Sequence, residues 1–377
     1  MENDNLKLVF VGDFCSYTPE RQKIGTKLQV LLDQSDLNVV NFEGCLQYGQ
    51  LHTAGRFYLK QSHDSPRWLI DHGFNVVNLA NNHAYDWGEV GLRKTQEAFA
   101  DVIALGCGYW NEVYQVRFVE LKGFRIGLFF ATSADLSSLK DKWDDGTKFG
   151  CPWINHVEVD EILKRAKERC DYLVVMAHAG VEYMPVPLPE WRDRYRHLID
   201  IGADIIIATH PHVPQGMEYY KDKAIFYSLG NFCFDKGEES KIPYWNNGVV
   251  VCIEISSTGL VVRSQLTRLS NHEVEIDQCE ESQGYFKNLC ALLENDAHYV
   301  KTLNGEVLKM YHKYEDWLLE GLQAYRSRPR NIRILYRFLR SFVNGQENYR
   351  VALHQIREES TRWILARAYK LLSNTDL

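Results

Sequence analysis

The sequence predicts an α/β protein, a layered sandwich of sheets and helices followed by a C-terminal helical extension. Up to about residue 270, short apolar runs alternate with stretches of helical periodicity, which is the pattern of buried sheets covered by helices. After Ser270 the β-rich runs stop, and two long helical stretches follow at 284–325 and 331–373. We therefore expect two units, residues 1–270 and 271–377.

Ten segments are predicted as strands because they are short, apolar and rich in β-branched residues: Leu8–Val11, Asn38–Asn41, Val76–Leu79, Val116–Leu121, Ile126–Ala131, Leu173–Met176, Ile205–Ala208, Ile225–Ser228, Val249–Ile255 and Leu260–Leu266. Between many of them the apolar spacing predicts helices near 21–35, 64–72, 88–104, 157–169 and 188–201. The last two strands are expected to form a hairpin element added to the main sheet.

Composition narrows the function classes. The formal net charge of −7 gives no electrostatic case for nucleic acid as a partner. None of the nine cysteines forms a C-x-x-C pair, so free thiols in a reducing compartment are expected. The polar start of the chain lacks the pattern of a signal peptide, and no stretch reaches the apolar length of a membrane span. These features predict a cytoplasmic protein.

The C-terminal region departs from this acidic balance. Residues 287–377 hold 15 Lys and Arg against 10 Asp and Glu, which is a net charge of +5. Within it, the segment from Arg326 to Phe342 interleaves arginines with Ile, Leu, Tyr and Phe. A basic amphipathic helix of this kind suits an anionic membrane surface, such as the inner membrane, or a partner. The alternative is a solvated face of the helical extension.

Polar side chains follow five of the predicted strands, at the point where each apolar run ends: Asp13, Glu43, the group Asn82, His83 and Asp86, then His178, and finally His210 with His212. In open α/β sheets the ligand crevice lies outside the carboxyl ends of the strands. We therefore expect these side chains to converge on one place.

The types of these residues favour a metal site over a nucleophilic triad. Carboxylates and imidazoles without thiolates suit manganese, iron or zinc. Two such ions about 3.5–4 Å apart can share a carboxylate and act on a phosphoryl-type bond. The two imidazoles of His210 and His212 are spaced to reach both ions from one turn. His83 is then available as a general acid, with Asp86 to orient it.

Six motifs in chain order resemble the CapA family of capsule-synthesis proteins, which includes the poly-γ-glutamate capsule proteins and is similar in fold to calcineurin-like metallophosphoesterases. The motifs are those at Asp13 and Glu43 together with Asn78-Leu79-Ala80-Asn81-Asn82-His83-x-x-Asp86-x-Gly88, His178-x-Gly180-x-Glu182-Tyr183, His210-Pro211-His212-Val213 and Tyr227-Ser228-Leu229-Gly230-Asn231-Phe232. The resemblance covers roughly residues 6–255 and implies a metallophosphoesterase-like fold.

The resemblance also implies a role for each matched position. Asp13 and His212 bind one metal, Glu43 bridges the pair, and the second ion is held by Asn82, His178 and His210. His83 lies beside the substrate as proton donor. The family likeness further implies substrate-contacting or outer-layer roles, which it assigns to Glu182, Tyr227, Ser228 and Asn231.

The chain departs from the family pattern at two positions near the site. Metallophosphoesterases usually open with Asp-x-His, whereas Cys15 occupies the third position here, which leaves the first metal one ligand short. Ala179 stands where the family often has Trp. The poly-γ-glutamate members usually carry an N-terminal membrane anchor, and none is expected from this sequence.

Structural alternatives remain for several of these residues. Asn82 can cap the following helix, and Glu43 can be an ordinary turn residue beside Gly44. The Tyr227–Phe232 motif is also explained by a Gly-Asn turn that ends a buried strand. Three tryptophans suit either a carbohydrate-type pocket or plain packing, namely Trp153, Trp191 and Trp245.

The leading functional hypothesis is a metal-dependent, phosphoesterase-like hydrolase in capsule or exopolysaccharide biosynthesis, acting on an anionic polymer or a phosphorylated sugar. The alternative is a non-catalytic polymer-binding or assembly subunit of a capsule synthase complex. The substitution at Cys15 favours this second hypothesis, and the intact Asn82-His83 pair favours catalysis.

Overall fold

The computed structural model describes residues 5–51, 58–235, 241–322 and 358–373. The basic segment from Arg326 to Phe342 lies outside these residues, as does most of the helix predicted over 331–373. Among the described residues, no helix is long and apolar enough to cross a membrane.

Strands of the described residues are, in chain order, β1 (Leu6–Cys15), β2 (Lys23–Ile24), β3 (Leu37–Phe42), β4 (Val76–Asn78), β5 (Ile103–Leu105), β6 (Gly108–Tyr109), β7 (Arg117–Leu121), β8 (Phe124–Thr132), β9 (Ser138–Leu139), β10 (Phe149–Pro152), β11 (Tyr172–His178), β12 (Ile205–Thr209), β13 (Met217–Tyr220), β14 (Lys223–Phe226), β15 (Asn231–Phe234), β16 (Asn247–Ser256), β17 (Gly259–Ser270) and β18 (Glu273–Ile276). Each of the ten predicted strands overlaps one of them. The β16–β17 pair is the expected antiparallel hairpin.

Helices cover the outer faces of the sheets: α1 (Thr26–Asp33), α2 (Ser65–Asp71), α3 (Gly88–Ala98), α4 (Trp110–Val113), α5 (Lys142–Asp145), α6 (Val157–Lys167), α7 (Pro189–Asp200), α8 (Glu280–Leu293), α9 (Asp296–Leu322) and α10 (Glu359–Ser373), with a 3-10 turn at Pro19–Arg21. The helix predicted over 88–104 is too long, because it ends at Ala98 and its last residues belong to the edge strand β5. The predicted helix 284–325 is two helices, α8 and α9.

Two large sheets pack face to face. The nine-stranded sheet has the order β2-β18-β17-β16-β1-β3-β4-β5, with β15 also paired to β1. The six-stranded sheet has the order β13-β14-β12-β11-β8-β7. The core has separate parts on the two faces of each sheet, because successive side chains along a strand point to opposite faces. In β1, Leu8 and Phe10 face the second sheet, whereas Val9 and Val11 face the core on the other side.

Further buried clusters complete the layers. Residues of α1, α2 and α3 pack on the outer face of the nine-stranded sheet, and α6 and α7 cover the six-stranded sheet. The C-terminal helices share this second core through Leu289 of α8, Leu303 of α9 and Ile364 of α10, among others. The result is a helix–sheet–sheet–helix sandwich, so the predicted layered α/β fold with a C-terminal helical extension is confirmed.

The ends of the parallel strands determine where the site lies. In the first sheet β1, β3 and β4 run parallel, and in the second β8, β11, β12 and β14 do. Their carboxyl ends therefore share one edge of the sandwich. Register places Asp13 opposite Asn41 and His178 opposite Thr209.

Candidate metal centre

The chain makes one close backbone crossing near the end of β1. Gly12 lies against the backbone of Gly230, and a Cβ at Gly12 would meet the Gly230 carbonyl oxygen at 1.9 Å. The next residue, Asp13, donates its amide to that same carbonyl at 3.0 Å. Only glycine permits this approach, because any side chain would push the strand away. The crossing fixes the Asp13 side chain at the buried meeting point of the two sheets.

Asp13, Glu43 and His212 form a buried group of candidate ligands. One ligand atom from each lies within 4.8 Å of the others. The His212 Nε2 atom is 3.4 Å from Glu43 Oε1. Atoms that each lie about 2.1 Å from one ion are separated by about 3–3.5 Å, so this spacing suits a metal.

His178 joins this group to a second set of ligand atoms. Its Nε2 lies 2.9 Å from Asn82 Oδ1, 3.1 Å from His210 Nδ1 and 4.0 Å from Glu43 Oε1. Glu43 therefore stands between the two sets, as the carboxylate that bridges two ions would. The structure brings all six predicted metal ligands into one cluster.

In two of these histidines, the ring nitrogen Nδ1 has a hydrogen-bond partner. His212 Nδ1 is 3.0 Å from Asn231 Oδ1. His178 Nδ1 is 3.0 Å from Thr209 Oγ1, which can accept its N–H. Such partners orient metal-binding imidazoles and leave the opposite nitrogen to the ion. In both residues that opposite nitrogen is Nε2.

The buried carboxylate of Glu43 tests whether a cation fits this cluster. Both of its oxygens are buried, and neither has a hydrogen-bond partner among the described residues. Burial raises the pKa of Glu43 well above its usual value, and the nearby carboxylates of Asp13 and Glu182 raise it further. A buried carboxylate without donors is costly, and a bound cation removes that cost. The cluster therefore fits a divalent metal.

The pKa shifts of Asp13, His178 and His210 favour the forms that bind metal. Burial lowers the pKa of His178, and it lowers the pKa of His210 well below the ordinary value. Burial also acts to raise the pKa of Asp13, but the hydrogen bond and charge of His178 outweigh it, and the net pKa is lowered. Neutral imidazoles and an ionised carboxylate are the ligand states required for metal binding.

The loop between the two β12-end histidines is strained. His210 has φ of 99° and His212 has φ of 60°, a region that non-glycine residues rarely occupy. The amide of His210 donates to Asp13 Oδ2 at 3.1 Å. Ser228 Oγ supports the loop by donating to the Val213 carbonyl at 2.8 Å. Strain of this kind persists where surrounding contacts fix the backbone, and it concentrates at functional sites.

His83 and Asp86 form a dyad at the edge of the cluster. His83 Nδ1 is 2.7 Å from Asp86 Oδ2, which also accepts the Leu59 amide at 2.8 Å. Burial acts to lower the pKa of His83, but the charge and hydrogen bond of Asp86 outweigh it and raise the pKa above the ordinary value. The His83 side chain is 15% exposed, whereas that of Asp86 is only 2% exposed. An imidazole that can reach solvent, and whose protonated form is favoured, is thus oriented by a buried carboxylate.

The remaining predicted residues divide between the site and the core. Glu182 lies close enough for its charge to raise the pKa of both Glu43 and His83. Asn231 contacts His212, as described. Tyr227, by contrast, is not brought to the cluster, because it stacks on Tyr195 in the helix-covered core and donates to Glu218.

Two features of the site were not predicted. Asn41 bridges its centre, since its Nδ2 lies 2.7 Å from Asp13 Oδ1 as well as 3.0 Å from His178 Nδ1. A buried amide that ends an otherwise apolar strand was the available signal. Cys15 is fully buried among Leu59, Phe234 and Trp245, so its side chain packs in an aromatic cluster and is not grouped with the candidate ligands.

Comparison with known proteins agrees with the sequence motifs. The chain is 34% identical over 252 residues to the capsule biosynthesis protein CapA of Bacillus anthracis, which covers 63% of this chain and 61% of that protein. It is 30% identical over 249 residues to the PGA biosynthesis protein CapA of Bacillus subtilis, covering 62% and 65%. The chain thus spans less than two thirds of the length of either relative.

A solved structure shows a looser likeness. The 5'-nucleotidase of Candida albicans aligns with 80% of this chain and 57% of its own, at 11% identity and a TM-score of 0.41. The family model described as bacterial capsule synthesis protein PGA_cap matches residues 7–236, which include every residue of the metal-type cluster. The expected resemblance is confirmed, and the chain belongs to this family of bacterial capsule synthesis proteins.

Proposed function

We propose that the chain is a metal-dependent hydrolase of the phosphoesterase type that acts in capsule or exopolysaccharide biosynthesis. The observation that carries the proposal is the Glu43 carboxylate, which is buried between two sets of candidate ligands and finds no hydrogen-bond donor in the part of the chain that the structure describes. A purely structural carboxylate in such a place would be expected to have donors. Asp13 and His212 would hold one ion with Glu43, and Asn82, His178 and His210 the other.

When bound, two divalent ions of manganese, iron or zinc supply Lewis-acid polarisation of the scissile group and lower the pKa of water. The chain itself contributes the proton. Asp86 engages His83 Nδ1, which leaves Nε2 to face the substrate. Because the raised pKa favours the protonated imidazole, His83 is suited to donate a proton to the leaving group.

The proposed substrate is an anionic polymer or a phosphorylated sugar intermediate, and nucleic acid is not proposed. This choice is supported by the family, since relatives are named for capsule and PGA biosynthesis. It is also supported by the chemistry of the cluster, because two cations would attract anionic oxygens. A synthase or membrane partner for the basic segment from Arg326 to Phe342 stays a prediction.

The second candidate is a non-catalytic polymer-binding or assembly subunit. The packing of Cys15 in the aromatic cluster favours it, since the site then lacks a ligand that phosphoesterases usually have. The His83–Asp86 dyad favours catalysis, because a binding module has no use for an oriented proton donor.

Hydrolysis of an aryl phosphodiester and an aryl phosphomonoester with added manganese tests the proposal. We expect turnover in the wild type and its loss in His83→Ala, with metal content unchanged. His197→Ala is the matched control, because His197 is also paired with a carboxylate, Asp160 at 3.0 Å, but is half exposed and lies outside the site. Polymer binding without turnover in any metal form would replace the hydrolase with the binding subunit.

A further inference from the structure

The three tryptophans considered for a substrate pocket have different surroundings. The indole N–H of Trp153 donates to Glu359 at 2.9 Å, and that of Trp191 donates to Ser360 at 3.2 Å inside the helix-covered core. Both serve packing and hydrogen bonding with α10. Trp245 alone lies beside the candidate metal ligands.

Trp245 is attached to the cluster through both ring and backbone. Its ring centroid is 5.1 Å from that of His212 and 5.8 Å from that of Tyr183. Its carbonyl oxygen accepts Asn231 Nδ2 at 3.0 Å, and the same Asn231 orients His212. Cys15, Leu59 and Phe234 pack around it.

The indole N–H of Trp245 is the unusual feature of this group. Only 8% of the residue is exposed, and within the described part of the chain Nε1 has no hydrogen-bond partner. Buried tryptophan N–H groups usually find an acceptor, and a buried donor without one destabilises the folded protein. Tyr183 and Ile242 are only partly buried and form the outer side of the same cluster. A small shift of these two side chains would open the indole to a ligand.

We propose that Trp245 is a substrate-contacting residue whose indole N–H donates to an anionic oxygen, phosphoryl or carboxylate, of the substrate group held beside His212. The inference rests on the proposed function for the location of the substrate. An anion is the favoured acceptor, because the site beside Trp245 would hold cations and a charged acceptor forms the stronger hydrogen bond. Tyr183 forms the outer wall of this subsite.

The test compares Trp245→Phe with Trp153→Phe, each of which removes an indole N–H and keeps an aromatic ring. Calorimetric titration of the manganese-loaded proteins with orthophosphate and with a γ-linked glutamate trimer measures binding without requiring turnover. Thermal melting measures stability. We expect Trp245→Phe to bind at least one probe about tenfold more weakly, which corresponds to about 1.4 kcal/mol. Its melting temperature should not fall. Trp153→Phe should melt a few degrees lower and bind normally, because its N–H already has an acceptor.

The probe that is weakened identifies the source of the oxygen, phosphoryl for orthophosphate and carboxylate for the trimer. The inference is wrong if Trp245→Phe binds both probes like the wild type, if it melts lower by as much as Trp153→Phe, or if the loaded wild type binds neither probe. Failure of the proposed function gives a different pattern, in which Trp245 controls binding but no form of the protein hydrolyses an aryl phosphoester.

Discussion

Replacement of Glu43 by glutamine should make the metal-free protein more stable, opposite to the usual effect of changing a buried residue. The wild-type carboxylate is completely buried, lacks hydrogen-bond donors and lies near Asp13. A buried polar group without partners costs about 1–3 kcal/mol, and a charged group costs more. Glutamine has the same shape and no charge, so we expect a gain of about 1–2 kcal/mol in the free energy of unfolding at neutral pH.

The pH dependence of this effect has a definite sign. Because the folded-state pKa of Glu43 is raised well above the unfolded value, the folded protein binds the extra proton between the two pKa values. The unfolding free energy of the metal-free wild type therefore falls as pH rises through that window. This contribution is absent in Glu43→Gln.

Thermal melts of metal-stripped protein, repeated with manganese, measure both effects. Metal that binds only the folded state adds about 2.7 kcal/mol at a hundredfold excess over Kd, and Glu43→Gln should lose most of this gain. Glu218→Gln is the control, because that buried carboxylate is satisfied by Arg192, Arg196 and Tyr227. It should cost about 3 kcal/mol with or without metal. The reasoning is refuted if metal-free Glu43→Gln is less stable than wild type, or if manganese stabilises it fully.

Three further predictions concern neighbouring residues. Asp86→Asn removes the group that raises the pKa of His83, so the alkaline limb of the rate–pH profile should move to lower pH; an unmoved limb would exclude His83 as the acid. Cys15→Ala removes packing from the aromatic cluster, so the free energy of unfolding should fall by about 1–2 kcal/mol. The metal content measured by elemental analysis should stay constant, and a loss of metal would mean that Cys15 is a ligand. Glu359→Ala removes the acceptor for the Ala134 amide, Trp153 and Asn155. Chemical denaturation should then show a free energy of unfolding lower by about 3 kcal/mol. An unchanged value would mean that these contacts do not hold α10.

The sequence predicted most of the site because strand ends are local features. Asp13, Glu43 and His178 each end an apolar run, and parallel pairing brings such ends to one edge. Asn41 was missed because its role depends on two partners from other strands, Asp13 and His178, which no local pattern reveals.

Alternation along β14 explains the different position of Tyr227. Ile225 and Tyr227 lie in the helix-covered core, whereas Phe226 between them faces the other sheet. The period-two rule applied from Ile225 onward would have put Tyr227 in the core. The family motif had instead implied a substrate-contacting or outer-layer role for Tyr227.

The packing of the C-terminal region could not be predicted from composition. A change from strands to helices after Ser270 is visible in the sequence, yet β18 still belongs to the nine-stranded sheet. The buried contact of Glu359 with Trp153 and Asn155 joins segments about 200 residues apart. Such long-range pairing is set by tertiary packing, which leaves no periodic signal.

Metal content of the purified protein, measured by elemental analysis in wild type and in Glu43→Gln, tests the central claim most directly. We expect about two equivalents of divalent manganese, iron or zinc per wild-type chain and a clear loss in Glu43→Gln, because Glu43 would help to hold both ions. A wild-type chain that holds no metal after manganese loading, or a Glu43→Gln chain that holds as much as wild type, would contradict the account.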